Sequence, residues 1–402
     1  MPPRRTHRKS RRGCLVCKQR RVKCDESGPP CGGCRARDIE HECRYASPPT
    51  QLQPPPRQDS FPSGGTTPTH CSYPPSSSGG RSPSPGRRQM EAQLMHRWST
   101  VTYKTMSTPC ADDENVWQNT VPDVAFKHEF LLHGIYAAAA FEISNSFPNE
   151  FARYGSSALE YQDRAISGFQ AQLNVIGDDN HEAILYFSIL LTTITLASAQ
   201  YVAASGMLAN KLQTTFELHA LAVGIKVVMK NNKACFGNPL FRKVKPLPQM
   251  PKTPLNADTE TALNRLTELN ESRTHLVVNG HDQQQQYAAA CKTALFWLRE
   301  CFLTCLCREN RSYALPWISL SGEDYITAVK ERDQLALIIL MYWGVLLQPL
   351  GHAHWWATDF GIKLVDEISL LLPASDVCTM TTEAIAWPQN EVRICHDEDV
   401  IT

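Results

Sequence analysis

The sequence predicts a small metal-stabilised head, a disordered linker and an all-α body. Three observations predict it. Six of the fifteen cysteines fall within thirty residues, at positions 14, 17, 24, 31, 34 and 43. Residues 46–90 hold eleven Pro, nine Ser and five Gly, with almost no apolar periodicity. From Glu91 onward apolar residues recur at helical spacing, and strand-like alternation is nearly absent. A chain of 402 residues, 42% of them hydrophobic, can hold two or three domains and a sizeable core.

Charge divides the chain the same way. Lys and Arg (40) balance Asp and Glu (40), which by itself argues against a nucleic-acid binder. Residues 1–45, however, carry thirteen basic and five acidic residues, a net of +8. Residues 46–90 add +3, which leaves −11 for 91–402. A basic head on an acidic body points the head at a polyanion.

The six cysteines form one half-motif used twice: C-x2-C-x6-C at 14, 17 and 24, then C-x2-C-x8-C at 31, 34 and 43. The first dozen residues are basic and lack an apolar run, so no export signal and no disulfide framework is expected, and clustered thiols point to metal. A C-x2-C step lets two thiolates chelate one tetrahedral zinc. Two zinc ions need eight ligand positions, and six thiolates fill them if two bridge. The repeat suggests the first cysteine of each half, Cys14 and Cys31, as the bridges. The alternative is one zinc held by four thiolates with two spare thiols.

Between Cys17 and Cys24 the chain reads Lys18-Gln19-Arg20-Arg21-Val22-Lys23, and Arg11 and Arg12 precede the cluster. Basic side chains contact phosphates, and Arg pairs bidentately with guanine in the major groove. Six thiolates and two Zn²⁺ add −2, leaving the loaded head at about +6. A zinc module for protein contacts with a solvated basic face is the competing reading.

The stretch GCLVCKQRRVKCDESGPPCGGCRARDIEHECRY resembles the fungal binuclear zinc-cluster DNA-binding domain: all six cysteines, the basic run between the second and third, and Pro29 before Cys31 match. The resemblance implies two short helices flanking two Zn²⁺ ions, held by Cys14, Cys17, Cys24, Cys31, Cys34 and Cys43. It implies that the end of the first helix reads a CGG-like triplet, with Arg21 approaching the guanines where many members carry Lys. Arg20 sits beside it. Lys18 and Lys23 are phosphate contacts, and Arg12 belongs to the same basic surface.

In the body, MHRWSTVTYKTMS, WQNTVPDVAFKHEFLLHGIYAAAAFEIS and ALIILMYWGVLLQPLGHAHWWATDFGIKLVDEISLLLP resemble the helical regulatory domain of factors similar to the sterol uptake control proteins. That implies an all-α regulatory domain able to hold a small apolar ligand. Helices are expected near 94–106, 128–141, 158–176, 183–211, 214–230, 288–306 and 333–347, with a Pro-rich excursion at 237–254 and a polar loop at 279–286. The two most apolar stretches, 183–197 and 335–347, read as buried helices, and Trp343, Trp355 and Trp356 could close a pocket at the end of the second.

Other candidates weigh less. Cys291, Cys301, Cys305 and Cys307 could sense redox state, with inert burial the default. His352 and His354 could hold a metal but lack a third ligand. Asp397, Glu398 and Asp399 read as a frayed end or an activation tail. No enzyme signature appears. The expected function is a sequence-specific RNA polymerase II transcription factor of a fungus, acting in the nucleus on a metabolic or biosynthetic pathway. A ligand-responsive regulator is the alternative. Expected partners are double-stranded DNA, the transcription machinery, an apolar small ligand and a second copy through the body, with no membrane. The Pro-rich run excludes a coiled coil just after the cluster.

Overall fold

A computed structural model describes residues 14–20, 22, 24, 25, 30–44, 84–107, 113–173, 175–207, 210–231, 238, 240, 245–276, 282–372 and 379–398. The chain divides into two compact units, 1–79 and 80–402. The first holds two short helices, α1 (Leu15–Gln19) and α2 (Gly32–Arg35), and a 3₁₀ turn at Glu40–Glu42. The second is helical, with no strand among its described residues.

The linker expected at 46–90 lies outside the described residues up to 83, but its last residues are helical. Helix α3 spans Pro85–Thr100. Ser84 caps it by accepting from the Arg87 amide at 3.4 Å, and Pro85 occupies the first turn, where its missing N–H costs nothing. The Ser-Pro pair that reads as linker is thus a helix start. From its expected apolar stripe, Leu94 and Trp98 are buried.

The core is built on α5 (Glu129–Ser146), α7 (His181–Ala204) and α13 (Gln334–Ala353). Helix α4 (Val121–Ala125) leads into α5, which packs on α6 (Phe151–Leu173) and α7. Helix α8 (Lys211–Asn231) packs on α7. Helices α9 (Ala257–Leu276), α10 (Asp282–Cys305), α11 (Trp317–Leu320) and α12 (Glu323–Lys330) lead to α13, against which α14 (Phe360–Ser369) and α15 (Thr379–Glu398) pack. Helices α7 and α13 are long and apolar enough to cross a membrane by length and composition. In α13, 89% of its most apolar window is buried in this body, so protein takes the place lipid would have.

Most tryptophans enter this core with their indole N–H satisfied, whereas the buried Tyr342 hydroxyl has no partner among the described residues. Seven of the eight tryptophans donate their indole N–H to an acceptor, among them Trp98 to the Trp117 carbonyl at 3.0 Å and Trp343 to the Ala314 carbonyl at 2.8 Å. Buried carboxylates are engaged too. Arg97 grips Glu142 through two nitrogens, and Arg273 grips Asp333, which also caps α13 by accepting from the Ala336 amide at 3.1 Å. Glu367 of α14 caps α8, accepting from the Lys211 and Leu212 amides at 2.7 and 3.2 Å.

Two expected interruptions differ. The polar run at 279–286 is helical from Asp282: Gln283 donates to Tyr287 and Glu331, and Gln286 to Asp324. The described part of the Pro-rich excursion is pinned to α10, with the Thr253 amide donating to the Leu303 carbonyl at 2.8 Å and Lys252 paired with Glu300 at 2.7 Å. The long apolar helix stops at Ala204, and Lys211 starts the next.

Helices α13 and α14 touch backbone to backbone. A Cβ on Gly361 would stand 2.2 Å from the Gly344 carbonyl oxygen and 2.8 Å from the Gln348 nitrogen, both rigid backbone. Gly361→Ala is therefore expected to destabilise the chain by roughly 1–3 kcal/mol. Gly224→Ala, on an α8 position with nothing within 4 Å, should stabilise it by about 0.5–1 kcal/mol. Urea unfolding of the two variants checks the opposite signs.

Candidate metal centre

Each half of the cysteine repeat folds as one motif. Cys14 and Cys31 stand in extended conformation just before α1 and α2, with φ/ψ of −59°/156° and −71°/156°. Cys17 and Cys34 follow three residues on, where a helical turn returns the side chain to the same face. The remaining thiols, Cys24 and Cys43, come from the segments after each helix. All six are buried, at 5% exposure or less.

The sulfurs converge. Cys14 Sγ lies 3.8 Å from Cys31 Sγ and 3.7 Å from Cys34 Sγ, and Cys17 Sγ lies 3.7 Å from Cys31 Sγ. A tetrahedron with Zn–S bonds of about 2.3 Å has an S···S edge of about 3.8 Å. Two groups of four thiols qualify: Cys14, Cys31, Cys34 and Cys43; and Cys14, Cys17, Cys24 and Cys31. Cys14 and Cys31 are common to both. Burial pushes the Cys17 thiol up to about 12 and raises Cys34 and Cys43. At Cys14 and Cys31 burial acts the same way, but hydrogen bonds from the Cys17 and Cys34 backbones and from neighbouring thiols outweigh it and lower both. Six buried thiolates repel one another unless cations sit among them, and zinc supplies that charge when bound.

Sequence reasoning missed Asp25. Its carboxylate accepts from the Gly32 amide at 3.2 and 2.9 Å through its two oxygens and so caps α2. A Cβ on Gly32 would stand 2.4 Å from Asp25 Oδ2, so a larger residue there would displace the capping carboxylate. An Asp directly after a ligand cysteine was the available signal.

Of the basic residues, Lys18 lies on α1 and Arg20 at its C-cap, both exposed. Arg12, Arg21 and Lys23 lie outside the described residues. The second half offers Arg35 and Arg37, exposed one and three residues after Cys34, as Lys18 and Arg20 stand after Cys17.

The candidates in the body resolve as structure. Burial pushes Cys291 and Cys301 up to about 12 and raises Cys305 as well, which keeps them thiols rather than reactive thiolates. Cys301 donates weakly to the Tyr313 carbonyl. Cys307 is exposed and falls beyond the end of α10. His352 lies in the last turn of α13, and His354 caps it, stacked on Trp356 at 4.8 Å; among the described residues neither joins a metal-holding group. Asp397 and Glu398 close α15 rather than fraying, and Asp399 lies outside the described residues.

Comparison with known proteins agrees with this geometry. The fungal Zn(2)-Cys(6) binuclear cluster domain matches residues 12–52, and the fungal specific transcription factor domain matches residues 94–215. A Zn(2)-C6 fungal-type transcription factor of Gibberella zeae is 27% identical over 93% of this chain and 85% of its own. The Zn(2)-C6 fungal-type transcription factor afumD of Aspergillus fumigatus is 32% identical over 49% of each chain. Sterol uptake control protein 2 of Candida albicans is 48% identical over 48 residues, 12% of this chain and 6% of its own. With a head whose cysteines suit two zinc ions and a helical body, the chain carries a fungal Zn(2)-Cys(6) binuclear cluster domain and a fungal specific transcription factor domain, and over 93% of its length it is similar to a Zn(2)-C6 fungal-type transcription factor.

Proposed function

We propose that the head reads a CGG-like triplet in the major groove and that the body regulates RNA polymerase II transcription of a metabolic or biosynthetic pathway in the nucleus. The observation that supports this reading is the pair of four-thiol groups with two members in common, with the basic end of α1, Lys18 and Arg20, lying between the ligands Cys17 and Cys24. Cys14 and Cys31, common to both thiol groups, would be shared by the two Zn²⁺ ions, with Cys17 and Cys24 completing one site and Cys34 and Cys43 the other. Arg21 reads the guanines, with Arg20 beside it, while Lys18, Lys23 and Arg12 hold the phosphates. The acidic body offers surfaces for a second copy and for the transcription machinery.

Two zinc ions per chain are expected by elemental analysis. Cys14→Ala or Cys31→Ala should disrupt both sites, whereas Cys24→Ala or Cys43→Ala each removes a ligand from one. A stoichiometry of one zinc in the unsubstituted chain overturns the shared-thiolate arrangement.

Reading and positioning separate in binding assays. Arg21→Ala is expected to cost about 1–3 kcal/mol and to relax preference within the triplet. Lys23→Ala should weaken all sequences alike and reduce the salt slope by about one unit. Loss of affinity in both variants with preference intact would move base readout to Arg20 or backbone groups.

A second reading, a regulator that responds to an apolar ligand, is favoured by one observation. A cavity of about 430 Å³ opens between α7, α8, α11 and α13, lined by Trp117, Trp343 and Trp356 among mainly apolar residues. Trp355 is not in its wall. On this reading a sterol or other hydrophobic molecule raises the melting temperature of the chain as RT ln(1 + [L]/Kd) and shifts tryptophan emission with the same midpoint. A broad sterol and lipid screen that moves neither leaves the body as a packed interaction domain.

A further inference from the structure

The cavity wall contains a cation with no ion-pair partner among the described residues. Lys226 of α8 lines it. Its ammonium donates to the Ser319 carbonyl of α11 at 2.6 Å, which uses one of three N–H donors. Among the described residues it forms no ion pair. It stands at the exposed rim of the cavity, where partial desolvation pulls its pKa below the usual lysine value. Two other lysines of the body differ. Lys252 is paired with Glu300, and Lys211 donates to the Ala199 carbonyl with Glu367 close by.

The cavity does contain a carboxylate, Asp113, but it is already engaged. Ser107 Oγ donates to one oxygen at 2.9 Å and Trp117 Nε1 to the other at 3.0 Å. Asp113 belongs to the wall that carries Thr105, Met106 and Trp117, whereas Lys226 belongs to the wall of α8 and α11. Beside these, the Thr193 hydroxyl of α7 lines the cavity and makes no hydrogen bond among the described residues. The wider groove of about 820 Å³ between α6, α7 and α8 has no lysine or arginine in its lining.

We propose that the cavity takes an amphipathic carboxylic acid, its carboxylate on the Lys226 ammonium and its apolar body against the Trp117, Trp343 and Trp356 rings. The proposal rests on the ligand-responsive reading above and adds the chemistry of the polar end. A carboxylate accepts the two spare N–H donors as charge-assisted bonds at the cavity rim, and the apolar wall beside them strengthens those bonds relative to open water. Thr193 offers a second polar point for an oxygen along the same molecule. A neutral molecule of the same shape fills the apolar part and leaves the ammonium as it is.

The test uses the zinc-loaded full chain with two probes that differ only at the polar end, pyrenebutyric acid and its methyl ester. Energy transfer from tryptophan to pyrene reports binding, and the melting temperature confirms it. The acid is expected to bind at least about tenfold tighter than the ester. Lys226→Met should erase that advantage without moving the ester's Kd, Lys226→Glu should reverse it, and Lys230→Met, an exposed lysine of the same helix outside the lining, should change nothing. Ala222→Phe, which adds a ring to the cavity wall, should weaken both probes. Circular dichroism confirms that each variant is folded. If acid and ester bind alike and Lys226→Met changes neither, the carboxylate assignment is overturned while the apolar cavity stands. If neither probe binds, or Ala222→Phe binds both as well as the parent chain does, the cavity reading falls and the assignment with it.

Discussion

A zinc ion in a closed protein site takes four ligands, and the head presents six thiols. The rest of the head follows from that arithmetic. The sulfurs must lie a tetrahedron edge apart in two groups that overlap by two, which the repeat achieves by opening each short helix with one shared cysteine and placing the next one turn on. A head of about 45 residues cannot bury enough apolar surface to fold alone, so metal replaces core. The apolar residues Leu15 and Val22 can then remain exposed, at 50% and 47%, while the thiols are buried.

The body solves the opposite problem. It has apolar surface in excess, and its specificity comes from a few polar contacts that fix which helix meets which. Arg97 to Glu142 joins α3 to α5, Arg273 to Asp333 joins α9 to the start of α13, and Gln348 inside α13 accepts from the Ile362 amide at the start of α14. Each is a buried or half-buried group that would be costly if left unpaired, so each excludes packings in which its partner is elsewhere.

Much of this was legible in the chain. The cysteine spacing announced the metal centre, because ligand geometry is local and the repeat is explicit. Helices α5, α7, α8 and α13 were legible because apolar runs of that length can be covered only by other helices. Helix α9 was not. Its composition is polar, and the stripe of Ala262, Leu263, Leu266 and Asn270 that it buries is narrow. Helix α15 was hidden by Pro388, which sits within it, yet Ala384, Trp387 and Val392 hold it against the body. The polar run before Tyr287 read as loop because its glutamines find partners on α12 and beyond, contacts that local sequence cannot reveal. The cap of α2 by Asp25 belongs to the same class.

The Glu367 cap ties the beginning of α8 to α14, 156 positions later in the chain. The segment between α8 and α9 has the Pro-rich composition of a domain boundary, and a protease or a gene fusion would treat it as one. The two parts on either side are not independent. The N-terminal part contains a helix whose first amides are satisfied by a carboxylate of the C-terminal part. A chain nicked at that segment would remain one folded object, and either part made by itself would lack a surface it needs. The body is inherited, and lost, as a unit.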